Sequence, residues 1–225
     1  MSSAEWDNFT YFTNDNDFLK HIRIGQSEPY ASGKQLDTIK IYTSTYPDRK
    51  RNMIDVGAHI GTTMLPYSRI FNNVYGFEPN TESYNFCVKN IAHNNVKNCV
   101  VEHCAILDKR VVGRTLYHNT CNTGCIYFKE DTTGDIQTKI LDEDPRLIDI
   151  DFIKIDTEGA ELLVIKSAIN IIKTYKPFIQ AEMNGLAEKN FNLSTKELLE
   201  LLGNLGYKNI PNTDFFMHNE YPIII

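Results

Sequence analysis

The chain has no long apolar run. No stretch of its 225 residues approaches the roughly 18 consecutive apolar positions that a membrane-spanning helix needs. Residues 1–10 are polar and lack the basic-then-apolar order of a secretory signal. Together these absences predict a cytoplasmic protein with no membrane partner. Positive charge is also short: 23 Lys and Arg stand against 29 Asp and Glu, a formal net charge of -6. A broad basic footprint is what phosphate-rich partners demand, so no nucleic acid is expected among the ligands. The one local basic run, Asp48-Arg49-Lys50-Arg51, reads as a solvated cap before a buried strand. Cysteine is sparse and odd in number, at 87, 99, 104, 121 and 125. A zinc site from His103, Cys104, His118, Cys121 and Cys125 would lack a second close pair, so reduced, half-buried thiols are expected instead. No repeat, low-complexity segment or linker divides the sequence, and no feature sets an oligomeric state. Residues 1–50 read as an N-terminal extension of one unit whose main domain is 51–225.

What is present is an alternation. Residues 1–50 are aromatic-rich and weakly periodic, with helices expected over 15–23 and 31–46. From Met53 short apolar runs alternate with helical spacing. Met53-Ile54-Asp55-Val56 reads as a strand stopped by Gly57. Residues 62–71 read as a helix with Pro66 tolerable in its first turn. Strands at 74–77, 99–104, 151–156 and 177–183 are separated by helices at 81–93 and 159–175. A capped helix is expected over 194–205. Residues 111–117 and 125–129 predict a hairpin around Asn122-Thr123-Gly124. A terminal antiparallel pair at 207–210 and 215–218 would close the sheet. Such alternation predicts an α/β fold: a doubly wound, mostly parallel, seven-stranded sheet. In that architecture ligands bind beyond the carboxyl ends of the strands, so the residues ending each strand matter most.

The first strand ends Asp55-Val56-Gly57-Ala58-His59-Ile60-Gly61. Gly57 permits a sharp turn, and Gly61 precedes a helix whose free N–H groups attract an anion. The second strand ends Phe77-Glu78-Pro79, about 20 residues after Asp55, where a carboxylate can accept hydrogen bonds from ribose hydroxyls. A nucleoside ligand follows, and two classes compete. The dinucleotide fingerprint needs a second glycine where His59 stands, and a bulky side chain there blocks a pyrophosphate. An amino-acid carboxylate needs less room, which favours S-adenosylmethionine over NAD. The fourth strand ends Lys154-Ile155-Asp156-Thr157-Glu158-Gly159-Ala160-Glu161. Glu158 and Glu161 are spaced to share a helix face. The helix dipole accounts for an acid at Glu161 but not for Asp156. The fifth strand ends in Glu182 and Asn184.

These blocks resemble the FkbM family of methyltransferases. The matching text is Ile54 through Gly61, Gly76-Phe77-Glu78-Pro79, Asp151 through Glu161, and Pro177 through Glu182, within about residues 50–210. Residues 25–30 match its N-terminal region weakly. The resemblance implies a class I, Rossmann-like methyltransferase enzyme that methylates oxygen, commonly on a sugar hydroxyl or a small natural product. It implies that Asp55, Gly57 and Gly61 hold the methionine end of S-adenosyl-L-methionine. Glu78 and Pro79 would hold the ribose, with Cys104 and Ala105 in the stretch flanking the adenine. Asp156, Glu158 and Glu182 would face the acceptor, with Asp156 also near the cofactor. His59 stands where the family usually has Asn and is expected to preserve a hydrogen bond. The expected acceptor is a sugar or glycan hydroxyl, with Asp156 the first candidate for its base and Glu182 the second. A divalent metal held by Asp156, Glu158 and Glu182 is a variant, and a nucleoside-binding module without turnover remains an alternative. Residues 1–50 and 108–140, which have no readable pattern, are expected to shape the acceptor pocket.

Overall fold

The protein is described by a computed structural model over residues 2–15, 33–117 and 125–221. The chain opens with an antiparallel hairpin, β1 (Ser2–Trp6) and β2 (Phe9–Thr13), followed by α1 (Gly33–Thr45). Then come β3 (Asn52–Val56), α2 (Met64–Tyr67), β4 (Asn73–Phe77), α3 (Thr81–His93) and β5 (Cys99–Glu102). An excursion contributes β6 (Ala105–Ile106), β7 (Val112–Tyr117), β8 (Ile126–Glu130) and β9 (Ile136–Lys139). The second half runs β10 (Ile150–Ile155), α4 (Glu161–Ser167), α5 (Ile169–Tyr175), β11 (Phe178–Ala181), α6 (Leu186–Phe191), α7 (Thr195–Asn204), β12 (Tyr207–Asn209) and β13 (Phe215–His218).

The main sheet has seven strands in the order β12-β13-β11-β10-β3-β4-β5. It is mixed. β3, β4, β5, β10 and β11 pair in parallel, and β13 runs antiparallel between β11 and β12. Each central strand is apolar on both sides, as a sheet covered on both faces requires. Ile54, Val56, Ile153 and Ile155 pack with Leu162, Ile165, Ile172 and Leu198 of α4, α5 and α7. The alternate residues Met53, Val74, Phe152 and Phe178 pack with Ile39, Tyr42, Met64 and Cys87 of α1, α2 and α3. Period-two alternation along the strands thus feeds two separate cores. β10 and β3, paired at the centre, bring the ends Asp55 and Asp156 together.

Several expectations need correction. The helix expected over 62–71 is regular only over Met64–Tyr67: Pro66 lacks the N–H that would bond the Thr62 carbonyl, and beyond Ser68 the chain reaches Phe71 in tighter turns, Arg69 and Ile70 each donating three residues back. The helix expected over 159–175 begins at Glu161 and breaks at Ala168, whose φ of -122° leaves the helical region. Glu158 therefore lies in the preceding loop, at φ 57°, and shares no helix face with Glu161. The basic run is no solvated cap. Arg49 and Arg51 both pair with the fully buried Asp151 at the start of β10, and Arg49 also donates to the carbonyls of Tyr175 and Lys176. The N-terminal hairpin was not expected. Its turn, Asp7-Asn8, has both residues at positive φ, the geometry that two-residue hairpins favour. Asn90 on α3 and Asn94, the residue that caps its end, hydrogen-bond the backbone of Phe12 and Thr10, so side-chain amides satisfy the edge of β2. The 31–46 helix is α1, the capping box at Ser194 starts α7, and the 207–218 pair closes the sheet. The helix expected over 15–23, the match at 25–30 and the turn at 122–124 lie outside the described residues.

Candidate active site

The glycine turn after β3 is built by close packing. Gly57 has φ 84°, and a Cβ there would sit 1.8 Å from the carbonyl oxygen of Asp156. Its missing side chain makes room for the end of β10. The N–H groups of Gly57 and Ala58 both donate to the Phe77 carbonyl, fastening the turn onto β4. His59 follows at φ 50°, and its N–H donates to Oε2 of Glu78 at 2.7 Å. Oε1 of Glu78 accepts the Asn80 N–H at 2.8 Å. Glu78 is thus a buried carboxylate aimed by two backbone amides, and each oxygen keeps acceptor capacity. Burial pushes it up to about 7, against the pull of those amides.

An open cavity with about 730 Å³ of empty space lies over these strand ends. Gly57, His59, Glu78, Pro79, Cys104 and Ala105 line it on one side. Asp156, Thr157, Glu158 and Lys154 line it on the other, and Ile126 and Phe128 of β8 form a further wall. The structure therefore brings most of the expected cofactor residues to one space. Two are elsewhere. Asp55 is fully buried behind Lys154, and a side chain at Gly61 would face Cys87 Sγ at 3.2 Å. Of the two unpatterned segments, 108–140 reaches the cavity through β8; no described residue of 1–50 lines it. Burial pulls the His59 imidazole down to about 4 and pushes the Cys104 thiol up to about 12, so both are neutral near pH 7.

Asp156, Glu158 and Glu182 each offer an oxygen within 4.8 Å of the others. Glu182 does not line the large cavity but a small neighbouring one. Its pKa is raised far above the carboxylate range by burial and then by the adjacent charge of Asp156. Burial and the same neighbour push Glu158 up to about 7. Asn184 bridges the group, donating to Glu182 Oε2 at 2.8 Å and Glu158 Oε2 at 3.2 Å. Glu161 is a loop clamp: its Oε1 accepts from Thr157 N, Thr157 Oγ1 and Gly159 N. Among the described residues this acidic trio is the one metal-competent set, and His103, Cys104 and Cys125 form none. His118 and Cys121 lie outside the described residues. Cys87, Cys99 and Cys104 are free thiols, buried rather than half-buried as expected.

Sequence reasoning passed over Lys154. It is 3% exposed, with Nζ 3.4 Å from Asp55 Oδ1 and 3.2 Å from Asp156 Oδ2. The signal was available, since a lysine inside an apolar strand must be buried and therefore paired. Asp55 Oδ2 accepts no hydrogen bond. No helix among the described residues is long and apolar enough to cross a membrane.

Solved structures are similar to this chain at low identity. The FkbM methyltransferase of Methylobacillus flagellatus KT is 17% identical over 76% of this chain, with a TM-score of 0.49. This chain spans 44% of that protein's length. A putative caffeoyl-CoA O-methyltransferase from Staphylococcus aureus is 11% identical, covers 91% of this chain and 90% of its own, and has a TM-score of 0.52. TYW2 of M. jannaschii, solved in complex with AdoMet, is 13% identical over 93% of this chain and 74% of its own, at a TM-score of 0.44. At such identity the Staphylococcus aureus likeness supports the fold alone. No curated protein matches the sequence. The methyltransferase FkbM domain model matches residues 55–208, well over half of the chain. With that match the chain belongs to the FkbM methyltransferase family.

Proposed function

We propose that this protein transfers a methyl group from S-adenosylmethionine to a hydroxyl of a sugar or glycan. The observation that carries the reading is the position of Asp156. It lines the same cavity as Gly57 and Glu78, and its carboxylate belongs to the trio with Glu158 and Glu182. A nucleoside-aiming carboxylate and a proton-accepting one thus share one space. Glu78 fits a ribose, because its two amide bonds fix its direction and leave lone pairs for two hydroxyls. Pro79, Cys104, Ala105 and Phe128 offer the apolar walls that an adenine ring needs. His59 at the turn leaves no room for the backbone approach that a dinucleotide pyrophosphate demands. Carboxylates and the Asn184 amide beside the cavity suit the vicinal hydroxyls of a sugar.

When bound, the sulfonium supplies a methyl group that leaves sulfur as its bond to the acceptor oxygen forms, sulfur keeping the electron pair. The chain must hold the acceptor oxygen about 3 Å from that carbon and in line with it. Asp156 takes the hydroxyl proton during attack; Glu182, whose proton the charge of Asp156 helps to hold, becomes the second candidate once that charge is removed. Glu158 and Asn184 orient the acceptor. A second reading has its own support: three carboxylate oxygens within 4.8 Å also form a hard-ligand set suited to a divalent cation. In the proposed metal-free reaction, turnover survives dialysis against EDTA. Loss restored by Mg²⁺ or Mn²⁺ would favour the metal instead.

Thermal unfolding tests the donor. S-adenosylhomocysteine at 100 times its dissociation constant adds about 2.7 kcal/mol of stability, and NAD adds none. No shift with S-adenosylhomocysteine, or a shift with NAD alone, would overturn the proposal. Methyl transfer to a panel of mono- and oligosaccharides then tests the acceptor class, and transfer confined to non-sugar hydroxyls would replace it.

A further inference from the structure

The resemblance assigned the methionine end of the cofactor to Asp55, Gly57 and Gly61, and the strand-end reading placed a carboxylate at the helix after Gly61. The structure keeps Gly57 and, with Thr62 and Thr63, the start of α2 on the cavity wall but turns Asp55 and Gly61 away from it. α2 is a single turn, and Gly61 faces Cys87. Gly57 is spared a side chain by the backbone of Asp156, and Asp55 is buried out of the cavity. Backbone amides there carry no full charge, and a carboxylate without a cationic partner in a buried site is costly. Among the described residues lining the cavity, Lys154 carries the one positive charge, since the His59 imidazole is neutral.

Lys154 projects from the sheet centre with its ammonium between Asp55 Oδ1 at 3.4 Å and Asp156 Oδ2 at 3.2 Å. Both distances exceed the roughly 2.7–2.9 Å of a well-made charge-assisted bond. An ammonium has three N–H donors, so two long contacts leave one donor unspent. A zwitterionic amino acid offers an ammonium and a carboxylate on one carbon. Of these two charges the carboxylate is the one Lys154, which lines the cavity beside Asp156, can meet.

We propose that Lys154 is a further cofactor-binding residue: it receives the α-carboxylate of S-adenosylmethionine, while Asp156 beside it stays with the acceptor. The assignment rests on the methyltransferase reading above.

Isothermal titration of the wild type and of Lys154→Met with two ligands tests it. One ligand is S-adenosylhomocysteine, and the other is S-adenosyl-3-thiopropylamine, the same molecule without its carboxylate. The wild type binds S-adenosylhomocysteine at least tenfold more tightly, as a charge-assisted bond in a buried site should give. Lys154→Met loses that preference, because only the carboxylated ligand weakens. Equal affinities in the wild type overturn the assignment. So does a preference undiminished in the variant, or an equal loss for both ligands. Should Lys154→Met not fold, Lys154→Gln keeps a donor for Asp55 or Asp156 without the charge, and the same ratio is read. Failure of both ligands to bind the wild type overturns the methyltransferase reading itself, a pattern distinct from equal binding.

Discussion

Strand β10 carries a buried charge near each end, and the two ends are built differently. At the amino end Asp151 is closed. It accepts from the Arg51 backbone N–H at 2.8 Å, from Arg51 Nε at 3.0 Å and from Arg51 Nη2 at 2.7 Å, with Arg49 Nε 3.3 Å away. At the carboxyl end Lys154 faces acids in excess over long distances, and Asp55 Oδ2 has no partner. Glu158 and Glu182 stand beside them with pKa values raised by burial. The first arrangement joins α1, α5 and the sheet and is complete in itself. The second is incomplete until a ligand supplies charges of its own. The difference separates a clasp from a site more sharply than burial does, because Asp151 and Asp55 are equally buried.

The comparison breaks if both ends respond alike to losing an acid. Asp156→Asn keeps the shape and removes the proton acceptor. Turnover on the sugar acceptor is expected to fall about 10²–10⁴-fold, the usual worth of a positioned base. Glu78→Gln, by contrast, should weaken S-adenosylhomocysteine binding without that loss of turnover at saturation. Full turnover by Asp156→Asn would move the base to Glu182. Asp151→Ala should do the reverse. Removing one partner of a buried pair costs about 3–5 kcal/mol; here Arg49 loses its carboxylate and Arg51 keeps only the half-exposed Asp149. The midpoint of thermal unfolding should fall by roughly 10 °C. The folded variant should bind S-adenosylhomocysteine with wild-type affinity. A changed affinity with an unchanged midpoint would show that the amino end also serves the site.

How much of this is legible in the sequence follows from how local each signal is. β3, β4, β10 and β11 were legible because each is a short apolar run stopped by a polar or glycine residue. The strand ends were legible for the same reason, and the cavity gathers Gly57, His59, Glu78, Pro79, Cys104, Ala105, Asp156 and Glu158. What failed depended on partners distant in sequence. The hairpin of β1 and β2 is half polar, and it is held by Asn90 and Asn94, about 80 residues away. The break at Ala168 has no Pro or Gly to announce it. The role of Gly61 required knowing that Cys87 packs behind it. Lys154 was passed over because a strand pattern records hydrophobicity, and its meaning lies in Asp55 on the neighbouring strand.

The smallest expected effect is a pH dependence of the carboxyl end. Burial raises Glu78 and Glu158 to about 7, from an ordinary 4.5, and Glu182 higher still. Each binds its proton more tightly in the folded chain than in the unfolded one. The stability it contributes is therefore fully present below about pH 4.5 and is lost as pH rises through the folded value. The lowered His59 and His218 act in the opposite sense, but that contribution is already complete above about pH 6.5. Between pH 6.5 and 8 the carboxyls decide the sign. The ligand-free unfolding midpoint should fall by a few degrees across this window, each carboxyl contributing on the order of 1 kcal/mol. A ribose reverses part of this, since its hydroxyls donate to the ionised form of Glu78. The shift produced by S-adenosylhomocysteine should accordingly grow from pH 6.5 to pH 8, and Glu78→Gln should abolish the growth. A shift independent of pH in the wild type would remove Glu78 from the ribose. A growing shift that survives in Glu78→Gln would pass the role to another buried carboxyl, with Asp55 the first to test.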